Sequence, residues 1–502
     1  MQLRGRNMKS KRIICLILCF AVFAQLAFSV SADETETTQP TTEAIETLPE
    51  PPVQSVYLPE GEDGSVTNGC RTVDGQMPLW GKNKILHASG AAMLYEINSD
   101  TMVYSWNADE SKSPASLVKI MTCLVAVEKG NIADTITISE RSFEALPSYA
   151  HTLELKVGEI VTLEQMLYCM MVGSANDAAA VIATHIGGSE AAFVAMMNQK
   201  AKDIGCTGTN FTNSTGIGHS DQYTTARDMV KIVKYAIQNE LFFEFFSATL
   251  YTLKKTNMSE ARQVTTSNYL MTPGMIAFYD SRVTGGRTGI TDDQKRCLIA
   301  TAEKGELKYI AVVLEAVPTY NKRGTSITNF GSYEEIRELL NKGFADHHIV
   351  QVLREDEILR QYSVLNGANH LVVGPTESVI TVLPSKATTA NLTVRYVNGS
   401  EVLTAPVQKG DTVATVQLWY GNVCIAQSPV TARNSVEVYV AEDEDDSPIA
   451  NADGLTKALV IVGIILGVLL SIAAVMYLAQ VFRRLNMRAQ HRRRRKSRRR
   501  SR

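Results

Sequence analysis

The chain has 502 residues, 50 Lys or Arg against 52 Asp or Glu, and eight cysteines with no C-x-x-C pair or metal-ligand spacing. That length accommodates two folded domains. The near-neutral charge hides a strong asymmetry: residues 33–482 hold 33 basic against 52 acidic groups, a balance of −19 that argues against an exported nucleic-acid binder.

In chain order, residues 1–12 carry Arg4, Arg6, Lys9, Lys11 and Arg12 without an acid. An apolar run from Ile13 to about Phe28 follows, then Val30-Ser31-Ala32. This pattern predicts a signal peptide over 1–32. Residues 33–74, rich in Thr, Glu and Pro, are expected to be a disordered spacer. A first domain over 75–345 mixes helical periodicity at 116–128, 161–171, 175–186 and 225–239 with strand signals at 90–96, 101–106, 283–290, 296–302 and 308–315. The last three strands follow one another through short turns and predict an antiparallel meander. Cys123, Cys169 and Cys297 lie in apolar runs and read as buried thiols.

Residues 350–440 change texture. Short alternating runs at 379–383, 392–397, 412–420 and 436–440, with Asn398-Gly399 and Lys409-Gly410 as turns, predict an all-β domain. It has no cluster of His, Cys or carboxylates and reads as a spacer or docking module. An acidic linker over 441–457 leads to an uncharged stretch that predicts a transmembrane helix over 458–482. Residues 483–502 hold 12 Lys or Arg and no acid, which places that tail on the cytoplasmic side, against anionic lipid rather than nucleic acid. The expected location is a single-pass cell-membrane protein whose folded part is extracytoplasmic.

Three short motifs can carry chemistry. Ser116-Leu117-Val118-Lys119 stands at the start of an apolar helix, so Ser116 and Lys119 share a face one turn apart and Ser116 lies by free backbone N–H groups. Ser174-Ala175-Asn176 follows Gly173, where one helix breaks and a small-residue helix resumes. Arg287-Thr288-Gly289-Ile290 sits on a strand, where a cation and a hydroxyl can bind a carboxylate and the Ile290 amide can face an oxyanion. Taken singly, each also fits a bland role: a capping serine, an N-cap before tight alanine packing, a turn with a surface arginine.

Their order and spacing resemble the penicillin-binding and serine β-lactamase superfamily. The segments Ser113–Thr122, Val157–Thr162, Ser174–Ala179, Asn210–Ile217 and Thr288–Asp292 resemble the low-molecular-mass D-alanyl-D-alanine carboxypeptidases (serine peptidase family S11). The resemblance implies an α+β peptidase domain, an antiparallel sheet with helices, followed by a small all-β domain and a C-terminal membrane helix. It implies Ser116, Lys119, Ser174 and Asn176 as catalytic residues and Arg287, Thr288, Gly289 and Ile290 as substrate-binding ones. Peptidoglycan pentapeptide stems would be the substrate and β-lactams covalent inhibitors, with no cofactor and no metal. One departure stands out: the family's third motif usually begins with lysine, and here it begins with Arg287. A catalytically weak peptidoglycan-binding homologue therefore stays open. A class A-like β-lactamase would need a Glu-x-x-Leu-Asn segment, which 177–240 lacks.

Overall fold

A computed structural model describes residues 89–400, 402–440 and 454–497. The predicted signal peptide, the spacer, most of the acidic linker and the last residues of the basic tail lie outside the described residues.

The centre is a five-stranded antiparallel sheet of β1 (Ala91–Glu96), β2 (Thr101–Trp106), β3 (Val283–Ile290), β4 (Arg296–Lys304) and β5 (Leu307–Ala316), in the order β2-β1-β5-β4-β3. The predicted meander is present as β3-β4-β5. The N-terminal hairpin adds to it through β1, with Met93 opposite Val312. Both faces of the sheet are covered, so β1 is buried along its whole length instead of alternating. Met93, Tyr95, Ile299 and Val312 face one core, and Leu94, Leu298, Ala300 and Val313 the other. Strand β3 is left at the sheet edge, where it borders the candidate site.

The first core is filled by α1 (Val118–Lys129), α2 (Leu163–Gly173), α3 (Asn176–Gly187), α4 (Glu190–Asp203), α5 (Ala226–Ala236) and α6 (Glu240–Ser247). Helix α7 (Ser332–Asp346) covers the opposite face through Leu339, Leu340 and Phe344. Nine consecutive residues of α1, Val118 to Ala126, are buried, which makes it the central helix. Ser116 precedes it in a 3-10 turn, Ala115–Leu117, rather than lying inside its first turn. Helix α4 was not expected from the sequence. It buries only Phe193, Met197 and Ala201, a stripe too narrow to stand out among its polar neighbours.

The C-terminal module comprises β6 (His347–Leu353), β7 (Arg360–Tyr362), β8 (Leu371–Pro375), β9 (Val379–Pro384), β10 (Leu392–Val397), β11 (Thr412–Tyr420) and β12 (Val423–Ala432). Strands β6 and β9 form one pair, and the others an antiparallel sheet in the order β7-β8-β12-β11-β10. Strand β12 escapes a sequence reading because Pro429, opposite Thr415, lies within it. The strand expected at 436–440 is reduced to two isolated bridges, at Val436 and Val438, and Val438, Tyr439 and Val440 are exposed. The alternation there does not correspond to a buried face.

The described chain divides into two compact units. The larger contains the central sheet, its helices and both sheets of the module; the smaller contains residues 364–370, 404–408 and 435 onward. The smaller unit includes α8 (Gly454–Ser497), in which Ala458–Leu485 is long and apolar enough to cross a membrane. Cys123, Cys169, Cys206 and Cys297 are buried, whereas Cys424 is disulfide-bonded.

Candidate active site

The turn carrying Ser116 is held in a conformation its sequence would not choose. Ala115 has a φ of 44°, in the left-handed region where a residue with a Cβ costs of order 1–3 kcal/mol. Two glycines let other segments press against it. A Cβ on Gly216, whose φ is +81°, would fall 2.1 Å from the Ala115 carbonyl oxygen, and one on Gly289 would fall 3.1 Å from the Ser116 amide nitrogen. Strand β3 thus passes close beside the Ser116 amide, and a side chain at 289 would make that approach tight.

Lys119 is completely buried. Its Nζ donates to Asn176 Oδ1 at 2.8 Å, to Ser116 Oγ at 3.3 Å and to the carbonyl of Thr215. Burial pushes its pKa well below the ordinary lysine value, and the charge of Arg287 adds to this, while Asp177 acts in the opposite sense.

Ser174 is the left-handed residue that ends α2, with φ 57°, and Ala175 then caps α3. The break turns Ser174 out of the helix; it is a C-cap, not the N-cap its composition suggests. Asn176, the first residue of α3, is anchored twice. Its backbone N–H and its Nδ2 both donate to the His151 carbonyl at 3.0 Å, which leaves Oδ1 for Lys119. Asp177 fixes the same loop by accepting from the amides of Leu153 (2.9 Å) and Leu155 (3.1 Å). Burial raises the Asp177 pKa, an effect those amides oppose.

Arg287 enters from β3 and is buried to 4% exposure. Each guanidinium nitrogen meets a protein acceptor: Nη2 donates to Ser174 Oγ at 2.9 Å, Nε to the Ser116 carbonyl at 3.4 Å, and Nη1 to the Met171 carbonyl. Met171 lies in the last turn of α2, where carbonyls lack intrahelical partners and a cation is favoured. Burial pushes the Arg287 pKa down to about 10.

Ser116, Lys119, Ser174, Asn176 and Arg287 thus form one connected cluster, with Gly289 packed on its edge. Thr288 instead meets a residue from outside the three motifs, with its Oγ1 2.5 Å from Ser267 Oγ. The Ile290 side chain is exposed at the end of β3. Sequence reasoning missed Ser267, Asp177 and the carbonyls of Thr215 and His151. The last two act through the backbone, so their side chains carry no signal, although Thr215 lies in the 210–217 segment already singled out.

A family model described as D-alanyl-D-alanine carboxypeptidase matches residues 81–318, and one described as the C-terminal domain of penicillin-binding protein 5 matches 349–438. The chain is 29% identical over 360 residues to the D-alanyl-D-alanine carboxypeptidase DacF of Bacillus subtilis, covering 71% of this chain and 87% of that one. It is 31% identical over 253 residues to the D-alanyl-D-alanine carboxypeptidase of Streptomyces sp. strain K15, covering 47% of this chain and 85% of that one. Among solved structures, penicillin binding protein 5 from Haemophilus influenzae superposes with a TM-score of 0.59 at 25% identity, over 71% of this chain and all of that one.

Proposed function

The chain belongs to the D-alanyl-D-alanine carboxypeptidase family of serine peptidases, and on that premise we propose that Ser116 is the nucleophile and Lys119 the base that activates it. One observation carries the assignment. A neutral lysine amine has two N–H bonds and one lone pair. Two neighbours of Nζ, Asn176 Oδ1 and the Thr215 carbonyl, can only accept. The third, the Ser116 hydroxyl, can donate, so the lone pair is left for its proton. Desolvation and the Arg287 charge favour this neutral form.

Ser116 Oγ then attacks the carbonyl between the two terminal D-alanines of a peptidoglycan stem peptide, and its proton passes to Lys119. The amides of Ser116 and Ile290 hold the oxyanion, a reading supported by the close approach of β3 to the Ser116 turn at Gly289. As the C–N bond breaks, Ser174 relays a proton to the departing amine. Asn176 holds Lys119 and a substrate amide. Thr288 receives the terminal carboxylate, and Arg287 lends it positive potential while orienting Ser174. Water then hydrolyses the ester and restores Ser116.

The long apolar helix serves as a membrane anchor in this reading, with a single span, the peptidase domain extracytoplasmic and the basic tail cytoplasmic. A labelled penicillin tests the assignment. Wild-type protein should take up one label per chain and release D-alanine from a pentapeptide, and Ser116→Ala should do neither. Equal labelling of Ser116→Ala would overturn it.

A further inference from the structure

Arg287 spends each of its guanidinium nitrogens on a protein acceptor, on the helical side of the sheet. The next side chain along β3, Thr288, points to the other face. There its hydroxyl meets that of Ser267 at 2.5 Å, and Ser267 is exposed. We propose that Ser267 is a second carboxylate-binding hydroxyl, paired with Thr288 and positioned by Tyr333. This rests on the reading of Ser116 and Thr288 given above.

Each hydroxyl has one O–H, and one of the two is used between them, so the pair presents a single free O–H outward. A group able to accept from it, without offering a competing donor, completes the pair. An anion meets that requirement, and hydrogen bonds to a charged acceptor are the stronger kind. A carboxylate has two oxygens, so it can also draw the Ser267 proton away from Thr288 and accept from both hydroxyls.

The backbone around Ser267 is held for this purpose. The hydroxyl of Tyr333, in the first turn of α7, donates to the Ser267 carbonyl at 2.5 Å. The Tyr333 ring is fixed among Tyr269, Phe278 and Phe330 at centroid distances of 5.2–5.5 Å. On the other side, Asn268 is buried with its Nδ2 directly against Gly286: a Cβ there would lie 2.6 Å away. The 267–268 segment is therefore clamped between α7 and β3, and Ser267 has little freedom to leave Thr288.

The test compares acylation of Ser116 in the full-length protein, in detergent, by a penicillin carrying its free carboxylate and by the methyl ester of the same penicillin. Losing a hydrogen bond to a charged acceptor costs roughly tenfold or more in rate. Ser267→Ala should lower the acylation constant for the free acid by about that factor while leaving the ester within about twofold. Ser267→Thr should restore the free-acid rate. Tyr333→Phe, which keeps the ring and removes only the positioning hydroxyl, should lower the free-acid rate by a smaller factor and spare the ester. Parallel loss on acid and ester would make Ser267 merely structural, and an unchanged acid rate would remove it from the site; either overturns the proposal. If the wild-type protein is acylated by neither compound, the Ser116 assignment fails and takes this inference with it. Wild-type acylation with an indifferent Ser267→Ala sinks this inference alone.

Discussion

The peptidase half and the C-terminal module bury very different things. Around the central sheet, Lys119, Asp177, Glu159, Asp228, Lys231 and Arg287 are all withdrawn from water. In residues 350–440 the buried polar groups among those described are Thr381, Gln417 and Ser428, none of them charged, and the core is Leu371, Val373, Val382, Leu418, Ile425 and Val430. Desolvating a charge costs several kcal/mol and adds little that an apolar residue would not supply. Each such group needs a specific partner, as Lys231 has in the Gly205 carbonyl and Arg287 in Ser174. The buried polar groups of the module are neutral, so its fold rests on apolar packing.

Breaking this contrast begins at Lys119. Lys119→Met should cut D-alanine release by about 10²–10⁴-fold, the usual worth of a general base. The same variant isolates the group's linkage to folding. Because the folded pKa lies below the unfolded value of 10.5, the unfolded chain holds a proton that the folded one has shed between those two values. Wild-type stability gains with pH across that window, and Lys119→Met should lose the gain in chemical-denaturation curves recorded at several pH values.

Next in size are two opposed shifts. Arg287→Gln removes a cation that disfavours protonated Lys119, so the acid limb of the kcat/KM profile should move to higher pH. Asp177→Asn removes an anion with the contrary influence, and its limb should move to lower pH. Shifts of the same sign would show that neither acts through Lys119. The milder Arg287→Lys keeps the charge and gives up the fork. It should retain acylation with a stability loss of about 1.5–3 kcal/mol, seen as a lower denaturation midpoint, because Met171 or Ser174 loses a charged donor.

The module should give the smallest functional effects. Ile425→Ala deletes core volume and should cost about 2–4 kcal/mol of stability, yet leave the acylation constant of the folded fraction unchanged. A comparable change in kcat would mean that the module reaches the chemistry. Thiol reagents should leave activity intact under native conditions. Cys169 and Cys297 are buried, and burial pushes their pKa up to about 12, so little thiolate is available.

What the sequence alone determined follows from local and periodic information. The apolar run of α1, the meander of β3–β5, the long apolar C-terminal helix and the three motifs are each written in consecutive residues. Their order sufficed to bring Ser116, Lys119, Ser174, Asn176 and Arg287 into consideration together. Helix α4 and strand β12 were hidden because a narrow apolar stripe and an internal proline weaken the period on which such readings depend.

What only the tertiary structure decided concerns direction. The sequence places Arg287 beside Thr288 as two ligands for one carboxylate. The fold sends them to opposite faces of an edge strand, the first to the end of α2 and to Ser174, the second to Ser267. Ser267 and Tyr333 lie 21 residues before and 45 after Thr288, outside any motif. The carbonyls of Thr215 and His151 belong to backbone that any side chain could provide. Such contacts arise from where chain segments cross in space, and a linear pattern holds no record of the crossing.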